Sequence, residues 1–243
     1  MRRRIAVITD AHANLPALDA ALAAIRAVGP DAVYHTGDAV GIGPFPAETL
    51  DRLLHEPGLH PVMGNHDAWF AFGLPDPRPR WMSDGELAHQ RWTQAQLDPV
   101  LRRVVAAWPW VIEEEVGGVP VAFLHYALDG TGRGFADPIP DSDPAALNRL
   151  FALQRARLVF YGHVHYPTPI PPEVAGNARY VNPGALGCSP EPLARYALLD
   201  VDQEGSWRLA VRAVPYDPRP LFAAFREREV PEWAFIKATF FGG

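Results

Sequence analysis

The sequence predicts an α/β fold with a parallel core sheet, on two observations. Its first half alternates short β-branched apolar runs with longer stretches whose apolar residues recur at helical spacing. A β-α-β-α-β rhythm of that kind builds a parallel sheet. Asp, His and Asn residues follow directly on the expected strands, and open α/β sheets gather ligands at the carboxyl ends of their strands.

Residues 5–9 are apolar and β-branched and form the first expected strand. The basic residues Arg2, Arg3 and Arg4 ahead of them suggest a signal peptide, but the apolar run is too short and Asp10 interrupts it. Leu15–Val28 is an alanine-rich helix, with Pro16 near its start and Gly29 at its end. Ala32–His35 is a second strand, residues 46–55 an amphipathic helix and residues 60–63 a third short strand. Residues 68–110 break the rhythm with aromatic residues, a proline-rich turn (74–79) and helical pieces at 84–96 and 99–107. This stretch is too short for its own core, so residues 1–243 are expected to be one domain with a helical cap or insert at about 68–109. Residues 110–115 and 119–125 form a hairpin around Gly117-Gly118. A Gly/Pro/Asp loop (129–143), a helix (144–154) and a strand (158–161) follow. The last third reads as strands at 178–181, 195–201 and 207–214, a short helix near 220–228, and an aromatic tail at 233–241 suited to core packing or a dimer contact.

At 243 residues and 48% hydrophobic, the chain can bury a sizeable core without staples. Its longest apolar runs are too short to span a bilayer. Cys188, the single cysteine, excludes an internal disulfide and fits a reducing, cytoplasmic compartment. The net charge is -6, with no basic cluster beyond Arg2 to Arg4. No stable nucleic-acid complex is therefore expected. A nucleotide substrate stays open, because bound metals reverse the local charge.

Five strand ends deliver polar ligand types to one rim: Asp10-Ala11-His12, Gly37-Asp38, Gly64-Asn65-His66-Asp67, His125, and Gly162-His163-Val164-His165. Mixed carboxylate and imidazole suit Mn, Fe or Zn better than Mg or Ca. One carboxylate can bridge two ions, leaving a second bridge for a water made nucleophilic near neutral pH. Each segment alone has a plainer reading. Asp10 and His12 could be a turn and a helix cap, Asn65 a turn residue, and His125 a core histidine.

D-A-H, G-D-A-V-G, G-N-H-D, a strand-end His and G-H-V-H, in that order, resemble the calcineurin-like metallophosphoesterases over roughly residues 5–201. The resemblance is nearest to prokaryotic phosphoesterases of the YfcE-like branch, whose G-D-x-V-G-Y-G-P and N-P-G-S-V-G runs correspond to residues 37–44 and 182–187. With the strand count, it implies a four-layer α/β/β/α metallophosphoesterase sandwich with a small helical cap. It also implies two divalent metal ions, Mn, Fe or Zn with Mn favoured. Asp10, His12 and His165 would hold the first, and Asn65, His125 and His163 the second, with Asp38 bridging. His66 and Asp67 would be the catalytic pair, His66 as proton donor or phosphate-binding charge over the leaving group and Asp67 as its nearby support. The substrate implied is a small phosphate ester or nucleotide, with diesters ahead of monoesters, and an oligomer is compatible. The rival readings are a phosphomonoesterase and a non-catalytic scaffold of the same fold; retention of all seven ligand positions and His66 favours the enzyme.

The sequence departs from the family in two places. Gly37-Asp38 lacks the following Asp-Arg-Gly of protein phosphatases, and Cys188-Ser189-Pro190 stands where similar proteins carry an arginine. Arg133 is the candidate substitute for that phosphate contact. His35 is read as packing or as indirect support of the site, and His55, His60 and His89 are given no chemistry. Trp69, Phe70, Phe72 and Trp81 suit cap packing better than base stacking, and Cys188 suits packing better than nucleophilic attack.

Overall fold

The computed structural model describes residues 2–139, 143–168 and 178–242. In chain order the first half runs β1 (Arg3–Ile8), α1 (Leu15–Val28), β2 (Ala32–His35), α2 (Pro46–Leu54), β3 (Leu59–Pro61), α3 (Asn65–Phe72), α4 (Asp84–Ala95) and α5 (Leu101–Val105). The second half runs β4 (Val111–Val116), β5 (Val119–Leu124), α6 (Pro144–Leu150), β6 (Leu158–Phe160), β7 (Arg179–Val181), β8 (Leu193–Val201), β9 (Trp207–Pro215), α7 (Arg219–Glu227) and α8 (Trp233–Phe240). Residues 140–142 of the expected 129–143 loop lie outside the described residues.

Two sheets result, ordered β3-β2-β1-β8-β9 and β4-β5-β6-β7. β3, β2 and β1 are parallel, as the rhythm predicts. The sheet as a whole is mixed, however, because β8 pairs antiparallel with β1 and β9 antiparallel with β8. The parallel half leaves one edge of β1 open, and an unpaired edge must be covered. The hairpin of β8 and β9 covers it. In the second sheet β4 and β5 form the expected hairpin, and β6 and β7 add in parallel.

Strand alternation makes four layers. Ala6 and Ile8 of β1 face α1 and α2, meeting Leu18, Leu22, Leu50 and Leu53. Ile5 and Val7 face the second sheet, with Phe123 and Phe160. Tyr34 stacks on Phe123 across that interface at 3.8 Å between ring centroids. Ala122, Leu124 and Val159 face outward onto Leu147 and Phe151 at α6. α1 has the boundary chemistry expected of it: the Asn14 side chain accepts from the Ala17 amide, and Gly29 closes the helix at φ 60°.

The segment after β3 begins as a helix inside the Gly-Asn-His-Asp run, one turn earlier than its aromatic composition suggests. The Asp67 carboxylate accepts from the Gly64 amide at 3.1 Å and thereby caps α3. Phe70, Leu97, Val105 and Trp108 of this helical segment join the core of the first sheet. The aromatic tail is α8; Ile236 and Phe241 pack with Leu221 and Phe225 of α7 and with Ile42 and Cys188. No helix among the described residues is long and apolar enough to cross a membrane.

Candidate metal centre

Five loops at strand ends are latched to one another through their backbones. The Asp10 amide donates to Gly37 O and the His12 amide to Asp38 O, each at 3.0 Å. The Gly187 amide donates to Asp10 O at 2.9 Å, the Ala185 amide to His165 O at 2.8 Å, and the Gly162 amide to His125 O at 2.9 Å. Residues 182–187 thus act through their backbone, tying the first and last loops together. The latching is tight enough to hold non-glycine residues in the left-handed region: Asp10, His12, Asp38, His163 and His165 have φ of 51°, 43°, 59°, 72° and 58°. Such a conformation costs about 1–2 kcal/mol per residue, so it persists only where the surroundings over-determine it. Close approach explains two glycines. A Cβ at Gly41 would overlap the His66 ring, and one at Gly162 would overlap Thr9 and Asp10.

All seven residues expected at the rim come together. His12 Nε2 lies 2.9 Å from His165 Nε2, and both are within 3.8 Å of Asp10 Oδ1. Asn65 Oδ1 is 3.0 Å from His125 Nε2 and 3.0 Å from His163 Nδ1, and those two nitrogens are 3.2 Å apart. Asp38 Oδ2 lies between the groups, 3.7 Å from His12 Nε2 and 3.3 Å from His125 Nε2.

The donor chemistry fits a cation in each group. His125 Nδ1 donates to Thr36 O at 2.8 Å, and His12 Nδ1 to Val40 O at 3.2 Å. The Nε2 atom of each neutral ring is therefore an acceptor. Acceptors facing acceptors at 3 Å repel unless a proton or a metal lies among them. Ligand atoms about 2.1 Å from an ion and 90° apart are about 3.0 Å from one another, which is the spacing seen.

Electrostatics agree at His12 and His163 and leave a proton on metal-free His125. Burial holds His163 down at about 3 and His12 well below the usual imidazole range, so both present neutral rings. Burial also lowers His125, but the Asp38 and Asp10 carboxylates outweigh it and raise the ring to about 9. Burial and the charge of Asp38 push Asp67 up to about 7, against the pull of its amide donors.

His66 stands beside the two groups, with a ring nitrogen within 4.8 Å of ligand atoms of His12 and Asp38. Its ring stands edge-on to His12 at 5.1 Å, and its amide donates to Asp38 Oδ1 at 2.9 Å. Gln90 Nε2 donates to Glu86 Oε1 at 2.7 Å and reaches His66 Nδ1 at 3.1 Å. Gln90 Oε1 lies 3.3 Å from the same Nδ1, so the Gln90 amide fixes the ring's position and can meet Nδ1 as donor or as acceptor. Asp67 is 1% exposed. Its oxygens accept from the amides of Asp38 (2.7 Å), Ala39 (3.0 Å) and Gly64. It braces the Asp38 loop and does not touch His66's ring.

Two cavities flank His66. One, about 680 Å³, is lined by Trp69, Phe72, Trp81, Arg133 and Phe135. The other, about 470 Å³, is lined by Ser83, His89, Glu232, Phe235 and Phe240. Asn65, His66, Glu86 and His163 belong to both.

Several site residues escaped the sequence reading. Gln90 and Glu86 carried a signal, an i, i+4 polar pair on α4. His89 was given no chemistry, yet it is buried in the second cavity wall. Phe240, 5.6 Å from His165 between ring centroids, arrives from the far C-terminus with no local signal. Sγ of Cys188 lies within 4.8 Å of His12 and His165 ligand atoms. His35 is fully buried, and neither of its ring nitrogens has a hydrogen-bond partner among the described residues. His55 and His60 are on the surface.

The calcineurin-like phosphoesterase superfamily domain matches residues 3–204. The uncharacterized protein MJ0912 of Methanocaldococcus jannaschii is 26% identical over 255 residues, covering 96% of each chain. A metallophosphoesterase from Sphaerobacter thermophilus is 26% identical with a TM-score of 0.71, covering 97% of each chain. The hypothetical protein PH1004 of Pyrococcus horikoshii OT3 shares the fold with a TM-score of 0.80 at 21% identity, covering 99% of this chain and 98% of its own. A match across most of the length, on a fold that gathers Asp, His and Asn side chains at one rim, makes this chain a member of the calcineurin-like phosphoesterase superfamily, whose chemistry is metal-dependent hydrolysis of phosphoesters.

Proposed function

We propose that this protein hydrolyses phosphodiesters, small nucleotide esters included, with two divalent ions, manganese favoured over iron or zinc. The observation that carries the diester reading is the pair of cavities meeting at His66. A diester has a substituent on each side of its phosphorus, and each cavity can take one. A monoester needs only a single closed pocket.

Asp10, His12 and His165 would hold one ion, and Asn65, His125 and His163 the other. The position of Asp38 Oδ2 between His12 and His125 supports its role as the shared ligand. When bound, the ions would lower the pKa of a water and neutralise the phosphoryl oxygens of an in-line displacement. His66 donates a ring proton to the departing oxygen, and Gln90 holds the ring in position through its Nδ1 edge. Asp67 is a positioning residue that holds the Asp38 loop. The segment at about 68–109 caps the rim of a single domain, with Glu86 and Gln90 of α4 reaching the site. The free, buried Cys188 supports a reducing, cytoplasmic setting.

The test is turnover of bis-p-nitrophenyl phosphate and p-nitrophenyl phosphate by metal-stripped protein resupplied with Mn, Zn, Fe or Mg, beside His66→Ala. Metal-dependent diester turnover that exceeds monoester turnover and falls about 10²–10⁴-fold in the variant is expected. Monoester preference would make the protein a phosphatase. Metal binding with no turnover of either ester would make it a scaffold.

A further inference from the structure

We propose that the larger cavity is a subsite for a planar aromatic ring of nucleobase size carried on the phosphoester. This rests on the hydrolase reading and names the substituent that one arm of the site accepts. Trp81 is 66% exposed and Phe72 61% exposed, yet both line the cavity that contains His66 and Asn65. Aromatic side chains whose task is packing bury their faces; these two leave theirs to solvent beside the rim. Large exposed apolar surfaces of this kind mark places where something binds.

The rings are graded outward from the rim. Trp69 lies 4.7 Å from His66 between centroids, and Trp81 lies 6.0 Å from Trp69 at an interplanar angle of 32°. A ring stacked on the open face of Trp81 is thus connected to the rim by aromatic surface, in the same cavity that His66 lines. About 680 Å³ is the size of a small-molecule pocket. Arg133 supplies the one guanidinium among the described lining residues, and no ion pair engages it among those residues. It complements a phosphoryl oxygen. Carboxylates line both cavities, Glu86 and Asp137 the larger and Asp38, Glu86 and Glu232 the smaller, but only the larger has a guanidinium among its described lining residues, and this sets the direction in which the ester lies.

The test is calorimetric titration of the Mn-loaded protein with AMP, ribose 5-phosphate and inorganic phosphate, using wild type, Trp81→Ala and Trp81→Phe. Wild type is expected to prefer AMP over ribose 5-phosphate. Trp81→Ala should lose about 5- to 150-fold in AMP affinity relative to inorganic phosphate, the worth of one stacked base, and Trp81→Phe should recover most of it. Equal affinity of wild type for AMP and ribose 5-phosphate, or an unchanged AMP preference in Trp81→Ala, would overturn the subsite. Diester turnover by the same wild-type preparation would leave the hydrolase reading standing in that case. Trp81-dependent AMP binding without any turnover would instead establish the subsite and sink the hydrolase reading.

Discussion

Loading metal-free protein with a divalent ion at pH 8 should release close to one proton, and the source is His125. Without metal, the Asp38 and Asp10 carboxylates overcome burial and hold its ring at about 9. At pH 8 such a group is about nine-tenths protonated. A ligand nitrogen must lose its proton to bind metal, so that fraction is released. His12, His163 and His165 contribute little, because burial pushes all three below the ordinary imidazole value. The four histidines proposed as ligands thus release about one proton rather than one each, beyond any given up by Asp10, whose carboxyl burial pushes up, or by a metal-bound water. Release should fall toward zero as pH rises through 9. The raised value has a second consequence: His125 supports the metal-free fold fully below about pH 6.5, and that support is lost as pH rises through about 9. Metal at 100 times its Kd adds about 2.7 kcal/mol, a rise of about 5–11 °C in Tm for a chain of this size. Titration calorimetry in two buffers of different ionisation enthalpy counts the protons, and scanning calorimetry with and without EDTA reads the stabilisation. Tight binding at pH 8 with no proton released, or with three or more, would refute this account of His125.

Other perturbations follow from the same geometry. Gly41→Ala places a methyl against the His66 ring at a φ of 86°. It should cost about 1–2 kcal/mol in urea unfolding and lower kcat while metal affinity stays near wild type. Asp67→Asn turns one of the two oxygens that accept from three backbone amides into an N–H donor facing an N–H, and metal affinity by titration calorimetry should fall about 10–100-fold although the residue lies off the rim. Burial holds His35 at about 3 and His89 at about 4. Both folded values are below the unfolded one, so their contribution is complete above about pH 6.5 and drains away as pH falls. Two such groups give at most about 2.7 kcal/mol per pH unit. The double variant His35→Asn/His89→Asn should flatten the urea midpoint between pH 6.5 and 5; an equally steep loss in that variant would contradict the assignment.

Much of the fold was legible because local periodicity and burial coincide in this chain. Leu15–Val28 and Ala32–His35 have the boundaries that their patterns suggest. Less legible was the mixed first sheet. β8 and β1 are separated by most of the chain, and no local pattern says which edge a late strand will cover. α3 was missed because its capping acid, Asp67, belongs to a run that reads first as chemistry.

For the site, the order of motifs along the chain determined the family, the expected ligand types and the seven positions that meet at the rim, since they follow the strands β1, β2 and β3 of one sheet and β5 and β6 of the sheet packed on it. Sequence by itself reached no further, because distance and exposure belong to packing and not to residue type. Tertiary structure alone decided that Asp38 Oδ2 lies between His12 and His125, that Gln90 and not a carboxylate backs His66, and that Asp67 is spent on backbone amides. It also decided that Trp81, in composition an ordinary core residue, keeps most of its surface in solvent beside the rim. The segment between α3 and α4 positions it there without covering it, and an uncovered aromatic face is an apolar surface that a planar ligand can still bury.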